Sequence, residues 1–318
     1  MKSTLRKMHF SLFNPVIAAI NSNLDFNVGR IVSEIESNRM LIVQERIREF
    51  SGLQLDNIAD AEFRVFSQWG EDGIIQYLLS KIPISNKVFL EFGVEDYRES
   101  NTRFLLMNNN WSGLVIDCDR QNVARIKASN LYWRNDLTAE CEFITRENIN
   151  LVIEKAGFRG DIGLLSIDID GNDYWVWEAI DIISPRIVVI EYNNVFGKER
   201  AVTIPYRPDF DRARAHYSNI YYGASLAAIC KLAGKKEYAF AGSNSTGSNA
   251  FFVRADVAQN IKEMNCSNGY VESKVREARD PNGKLLFPSK EKRNELIKDL
   301  FVLDVDSDEL ILISEFLE

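Results

Sequence analysis

The chain has 318 residues, 46% hydrophobic and 26% charged, with 46 acidic against 38 basic side chains and a formal net charge of −8. This length can bury a large core, as one domain with extensions or as two, while the acidic balance and the lack of a long Lys/Arg tract argue against a nucleic-acid backbone or an anionic membrane surface as main partner. Four scattered cysteines and only two histidines, His9 and His216, exclude a zinc ribbon and disfavour a disulfide framework.

The opening Met1–Phe10 carries the positive charges of a signal peptide's start. The apolar stretch after it is interrupted at Asn14, Pro15, Asn21 and Asn23, and no run of about 18 apolar residues follows anywhere. The expectation is a cytoplasmic protein with no membrane span. Residues 1–62 read as a helical extension, because Val28, Ile31, Val32, Ile35, Leu41, Ile42 and Ile47 recur at roughly helical spacing. Such a helix either packs on the main domain or joins two copies into a homo-oligomer. Asn38 and Glu45 interrupt the stripe and leave both open.

Residues 63–255 change texture, to short apolar runs that end in acids and alternate with helical stretches. Strands are predicted at Val88–Val94, Ser112–Asp117, Leu131–Trp133, Ile162–Asp168 and Arg186–Glu191, with helical segments between them. Runs that are apolar on both faces and separated by single helices imply a parallel sheet covered on both sides. An irregular stretch, residues 193–222, leads to a helix at Ala224–Ala233. Two further runs, Tyr238–Ala241 and Ala250–Val253, flank the loop Gly242–Asn249 and read as a hairpin. The fold class expected is α/β: a doubly wound, Rossmann-like, mostly parallel seven-stranded sheet closed by an antiparallel C-terminal hairpin. That order fits the methyltransferase variant of the doubly wound sheet better than a plain dinucleotide-binding one. Residues 256–318 form a charged C-terminal appendage.

Ligands of open parallel sheets bind beyond the carboxyl ends of the strands. Acids collect at those ends here: Glu91, Asp117, Asp136, Asp168 with Asp170, and Glu191. Carboxylates crowded at one edge repel one another unless a ligand, a metal or hydrogen bonds compensate. Glu91 and Gly93 mark the first β–α turn, where a glycine lets a ligand approach the backbone, and Asp117 ends the second strand, where an acid accepts hydrogen bonds from ribose hydroxyls. The turn Gly93–Ser100 has one glycine and the acids Glu95, Asp96 and Glu99, which would repel a pyrophosphate. A cationic, adenosine-containing cofactor such as S-adenosylmethionine suits it better.

Three motifs then carry a resemblance: Glu91-Phe92-Gly93, Ser166 to Asp173 with its Asp168-Ile-Asp170-Gly171-Asn-Asp173 core, and Ile187 to Asn193. Together they resemble class I S-adenosylmethionine-dependent methyltransferases of the FkbM-like kind over roughly residues 63–255. The upstream segment Phe66-Ser-Gln-Trp-Gly-Glu-Asp-Gly73 is similar to the Ser-Gln-x-Gly-x-Asp stretch of many such proteins. The resemblance implies that Gln68 closes over the amino-acid portion of the cofactor; the residues alone read equally as a helix start capped by Ser67 with Trp69 in the core. It also implies O-methylation of a sugar or natural product, as in surface-polysaccharide synthesis. The glycine-poor first loop keeps open a non-catalytic scaffold on the same fold, and the acid cluster a metal-dependent hydrolase.

A hydroxyl acceptor needs a base or a metal to take or acidify its proton. Asp168, Asp170 and Asn193, with Glu191 beside them, offer the hard oxygen ligands that Mg²⁺ prefers; His216, on the irregular stretch, is the alternative general base. Asp168 alternatively orients the cofactor's ammonium group, and Asp170 alternatively caps the next helix. For the acceptor, Asn193, Arg207, Arg214 and Tyr217 lie in an insert rich in Tyr, Arg and Asn, side chains that suit a sugar or a phosphate-bearing sugar and equally the packing of a polar lid.

Overall fold

A single helix, α1 (Lys2–Ser51), opens the chain. The computed structural model describes residues 2–317 apart from 274 and 276, with side chains described from residue 26 onward and at positions 18, 21, 23 and 24. The chain divides into two units, residues 1–48 and 49–318, so the stretch 49–62, expected with the leader, belongs to the second unit. Among the described residues no helix is long and apolar enough to cross a membrane.

The second unit is built on βα units in chain order. Helix α2 (Glu71–Lys81) precedes β1 (Val88–Phe92), and α3 (Arg103–Met107) leads to β2 (Ser112–Asp117). Helices α4 (Arg120–Ala128) and α5 (Asn130–Arg134) precede β3 (Leu137–Cys141). Then follow α6 (Ile149–Lys155), β4 (Gly160–Ile167), α7 (Asp173–Ala179) and β5 (Ile183–Glu191). After a short strand β6 (Val202–Thr203) and helices α8 (Arg212–Ala215) and α9 (Leu226–Lys235), β7 (Tyr238–Ser243) and β8 (Asn249–Arg254) form the hairpin.

The sheet runs β3-β2-β1-β4-β5-β8-β7. The first five strands are parallel, and β8 lies antiparallel between β5 and β7. The expected seven-stranded, mostly parallel sheet with its antiparallel hairpin is therefore present. Neighbours that point to opposite faces, such as Phe89 and Leu90 or Leu164 and Leu165, are all fully buried, because helices cover both faces of a parallel sheet.

The third strand falls elsewhere than expected. Leu131–Trp133 lies in α5, with Trp133 69% exposed under the Arg134 guanidinium, and the strand is Leu137–Cys141. At the edge of the sheet only one face is covered, so Leu137 and Ala139 are buried while Thr138 and Glu140 are half-buried; that alternation is a weaker signal than the continuous apolar runs of the central strands.

Residues 256–318 add α10 (Cys266–Gly269), β9 (Ala278–Arg279), β10 (Leu285–Leu286), α11 (Lys290–Ile297), β11 (Phe301–Asp304) and β12 (Glu309–Leu312). This segment shares a second core with the 193–222 stretch: Ala278, Ile297, Val302 and Ile313 pack with Val202, Ile204, Phe210 and Ile220, and β11 pairs with β6. The charged appendage thus fixes the insert that overhangs the sheet. Against the expectation from cysteine usage, Cys230 of α9 and Cys266 of α10 are joined by a disulfide.

Candidate functional site

The carboxyl ends of the strands open into one cleft of about 600 Å³, within the range of small-molecule sites. Each strand end contributes: Gly93 and Glu95 after β1, Asp117 and Cys118 at β2, Glu142 and Phe143 after β3, Asp168 to Asp170 after β4, and Glu191 at β5. Asn249 at the start of β8, Phe210 and Arg212 of the insert, and Glu277 of the C-terminal segment complete the wall.

The first turn is held by two acids. The buried Glu91 accepts hydrogen bonds from the Ser100 and Thr102 hydroxyls and from the Asn101 and Thr102 backbone N–H groups. Its carboxyl, pushed up by burial, fastens the loop 100–102 rather than standing free for a ligand. Asp117 accepts from the backbone N–H of Glu95 and of Asp119 at 2.8 Å each, and from Asn122 Nδ2 at 3.2 Å. Gly93 has φ +77°, and a Cβ there would meet the Asp168 carbonyl oxygen at 1.7 Å, so the glycine serves the approach of the first turn to the fourth strand end.

Gln68 lines the cleft at the end of a tightly bonded segment. Asp72 Oδ2 accepts from the backbone N–H of Val65, Phe66 and Ser67, and Ser67 Oγ accepts from Asp72 N–H in return. Burial pushes the Asp72 carboxyl up to about 6. Trp69 is 38% exposed rather than in the core. Glu71 takes the side-chain amides of Asn244 and Asn249 at 2.8 and 3.0 Å, which ties this segment to the hairpin.

Beyond the fourth and fifth strands stands an acid cluster. Carboxylate oxygens of Asp168, Asp170 and Glu191 lie within 4.8 Å of one another. Arg212 pairs with Asp170, donates to the Asn219 carbonyl and lies 3.9 Å over the Tyr222 ring. The Tyr222 hydroxyl donates to Glu191 Oε1 at 3.3 Å, and Glu191 Oε2 is buried with no partner. Burial holds both Asp168 and Glu191 well above the usual carboxylate range, with the charges of Asp170 and Asp173 adding to it at both and that of Asp168 at Glu191. Asp173 opens α7 by accepting from the Ile169 and Gly171 N–H groups; burial brings it to about 6. Those N–H groups belong to the turn before α7, whose N-cap residue is Asn172 without a side-chain cap bond, so the capping role open to Asp170 in the sequence is filled by neither acid.

Of the sequence-selected residues, Gln68, Glu91, Gly93, Asp117, Asp168 and Asp170 meet at the cleft. The others stand apart. Asp136 precedes β3, where its carbonyl accepts from Gly113 N–H; the shift of the third strand puts Glu142 at the cleft in its place. Asn193 is fully buried, donating to the Ile220 and Tyr222 carbonyls and accepting from Val195 N–H, so its amide is committed to the backbone and does not join the acid cluster. Arg207 pairs with Asp209 and Arg214 with Asp211, both exposed. His216 bonds Ser218 through Nδ1 at 2.6 Å and stacks on Tyr217, and burial lowers its pKa; neither ring lines the cleft. Glu142, Asn172, Phe210, Arg212 and Asn249 were not selected from the sequence. Arg212 had the one available signal, membership of the Tyr/Arg-rich insert.

No protein-family model matches the chain, and no curated protein matches it significantly. Among solved structures it is similar to the N-terminal domain of EvdMO1 with SAH bound, at 9% identity over 66% of this chain and 93% of that one, with a TM-score of 0.38. It is also similar to an S-adenosylmethionine-dependent methyltransferase from Clostridium acetobutylicum (8% identity, 52% and 83% covered, TM-score 0.33). A third similar structure is the O-methyltransferase from Bacillus cereus in complex with SAH (12% identity, 53% and 74% covered, TM-score 0.32).

Proposed function

We propose that the protein is an S-adenosylmethionine-dependent methyltransferase that methylates a hydroxyl group of a sugar-like acceptor. The observation that carries this reading is the charge of the cleft at the ends of a β3-β2-β1-β4-β5 sheet: Glu95, Asp117, Glu142, Asp168, Asp170 and Glu191 line it, and among its described lining residues Arg212 is the sole lysine or arginine. A pyrophosphate cofactor would be repelled there, whereas a cation with an adenosine fits. Asp117 would hold the ribose, since an ionised carboxylate has about four acceptor positions and three are used by Glu95, Asp119 and Asn122. Gln68 would face the amino-acid end.

When bound, the cofactor supplies an electrophilic methyl group on a positively charged sulfur. The chain's own part is to orient the acceptor, exclude water and take a proton. Asp168 with Glu191 takes the hydroxyl proton: two buried carboxylates this close favour holding one proton between them. Arg212 pairs with Asp170 and holds the cluster in place. Mg²⁺ forms no part of the reading, because Arg212 already neutralises Asp170 and Asn193 is bonded to backbone. His216, outside the cleft, is given no chemical role. Isothermal calorimetry tests the assignment directly: one S-adenosylhomocysteine should bind per chain, and no binding under any condition would refute it.

The same reading includes pairing of two copies through α1. Leu24, Val28, Ile31, Ile35 and Ile42 follow a heptad seam and are between 46% and 73% exposed. In a parallel two-stranded coil Glu34 of one copy would face Arg39 of the other across that seam, an attractive pair, while Asn38 and Glu45 fall on the seam itself and weaken it.

A further inference from the structure

The acid cluster and its neighbours present hydrogen-bond acceptors without donors. Asn172 and Asn249 are only 4% and 6% exposed and both line the cleft. Their amide orientations are set by what their nitrogens bond: Asn172 Nδ2 donates to the Arg207 carbonyl at 2.8 Å and Asn249 Nδ2 to Glu71 Oε1 at 3.0 Å. Each amide oxygen is left buried without a partner, as is Glu191 Oε2. Among the described lining residues, every buried side-chain atom without a partner is thus an acceptor. Asn249 lies directly opposite Glu191 in the β5–β8 register. From Asp117 on β2 this group is three strands away across β1 and β4, about 14 Å at the usual strand spacing, on the side of the sheet away from the proposed ribose position.

The charge count points the same way. With the Asp168–Glu191 pair deprotonated, as it must be to take a proton, Asp168, Asp170 and Glu191 bring three negative charges and Arg212 one positive, which leaves two uncompensated. A sulfonium accounts for one. Resting on the methyltransferase reading, we propose that the acceptor carries an ammonium group close to its reacting hydroxyl, as an amino sugar does, and that Glu191 with the amide oxygens of Asn172 and Asn249 receives it. The site is then neutral before the reaction and stays neutral through it. The acceptor oxygen forms its bond to the methyl carbon, the methyl–sulfur electron pair remains on sulfur, and the hydroxyl proton moves to the Asp168–Glu191 pair. With a neutral sugar the Asp168–Glu191 pair would keep a proton in place of the ammonium and be less able to take one from the hydroxyl, and a phosphorylated sugar would add negative charge to the cluster. The two arginines offered by the sequence for a phosphate, Arg207 and Arg214, are paired and outside the cleft.

Calorimetry on the full chain saturated with S-adenosylhomocysteine separates this proposal from the reading beneath it. D-glucosamine, D-glucose and D-glucose 6-phosphate are titrated at pH 7. Glucosamine should bind at least about tenfold more tightly than glucose, the scale of one charge-assisted hydrogen bond, and the phosphate least. Glu191→Gln should bring glucosamine down to the level of glucose while S-adenosylhomocysteine affinity holds within about twofold. Equal or tighter binding of glucose, tightest binding of the phosphate, no glucosamine binding by the loaded protein, or a preference that survives Glu191→Gln overturns the proposal. Failure to bind S-adenosylhomocysteine overturns the methyltransferase reading, and this proposal with it.

Discussion

Glu191 at the end of β5 and Asp168 just beyond β4 place carboxylate oxygens within 4.8 Å of each other, both in surroundings that raise their pKa values. A proton acceptor must be deprotonated, so the rate of methyl transfer should rise with pH through a value above the ordinary carboxylate range. Glu191→Gln removes the neighbouring negative charge and should move this limb to lower pH. Asp168→Asn should lower kcat by about 100-fold or more, the usual contribution of a general base. A pH–rate profile that is flat from pH 5 to 9 would remove the pair from the chemistry.

The same pair should cost stability. Two unit charges within 4.8 Å of each other repel by about 3 kcal/mol or more at an effective dielectric of 20, and Arg212 offsets part of this. Acids whose folded pKa is raised bind more protons folded than unfolded, so their contribution to stability falls as pH rises from the ordinary carboxylate range through the raised value. Glu191→Gln should therefore stabilise the protein at pH 8 by about 1–2 kcal/mol, a few degrees in Tm. The gain should shrink towards pH 5. Thermal denaturation at the two pH values measures it, and a variant less stable at pH 8 would contradict the repulsion.

Asp117 has two tasks, holding the Glu95 and Asp119 N–H groups and facing the cleft. Asp117→Ala should weaken S-adenosylhomocysteine binding by about 1–3 kcal/mol, roughly 10- to 100-fold. Unchanged affinity in calorimetry would show that the cofactor binds elsewhere.

His216 bonds Ser218 and stacks on Tyr217 away from the cleft. His216→Ala should keep kcat/KM within about threefold of the parent, in the range of a small structural adjustment. A fall of 100-fold in kcat, with cofactor affinity intact, would restore the histidine as the base.

The α1 seam predicts a dimer. In light scattering the full chain should have twice the mass of one copy, and Ile31→Asp with Ile35→Asp should give a monomer, because a buried unpaired charge at the seam is far more costly than an exposed one. A monomeric parent chain would dismiss the coiled coil.

The central strands were legible because β1, β2, β4 and β5 are apolar on both faces, and the acids that end them, Asp117, Asp168 and Glu191, stand where strand order alone puts ligands. The edge strand was not, since half-burial leaves a two-residue alternation that Leu131–Trp133 outweighs in hydrophobicity. That slip carried Asp136 to the wrong end of the sheet and hid Glu142. What each acid does was also beyond the sequence: Glu91 accepts four hydrogen bonds from its loop and Asp117 three, which of about four acceptor positions leaves one open on Asp117 alone.

By itself, then, the sequence determined the central strands of the sheet, its carboxyl edge and the acidity gathered there, because burial on two faces and the alternation of strand and helix are local properties of the chain. Only the tertiary structure decided which acids remain free to act. Arg212, Phe210, Asn249 and Glu277 reach the cleft from segments distant in the sequence. The counter-charge of Asp170, the open acceptor on Glu191 and the commitment of Asn193 to backbone are each set by neighbours that no sequence spacing brings together.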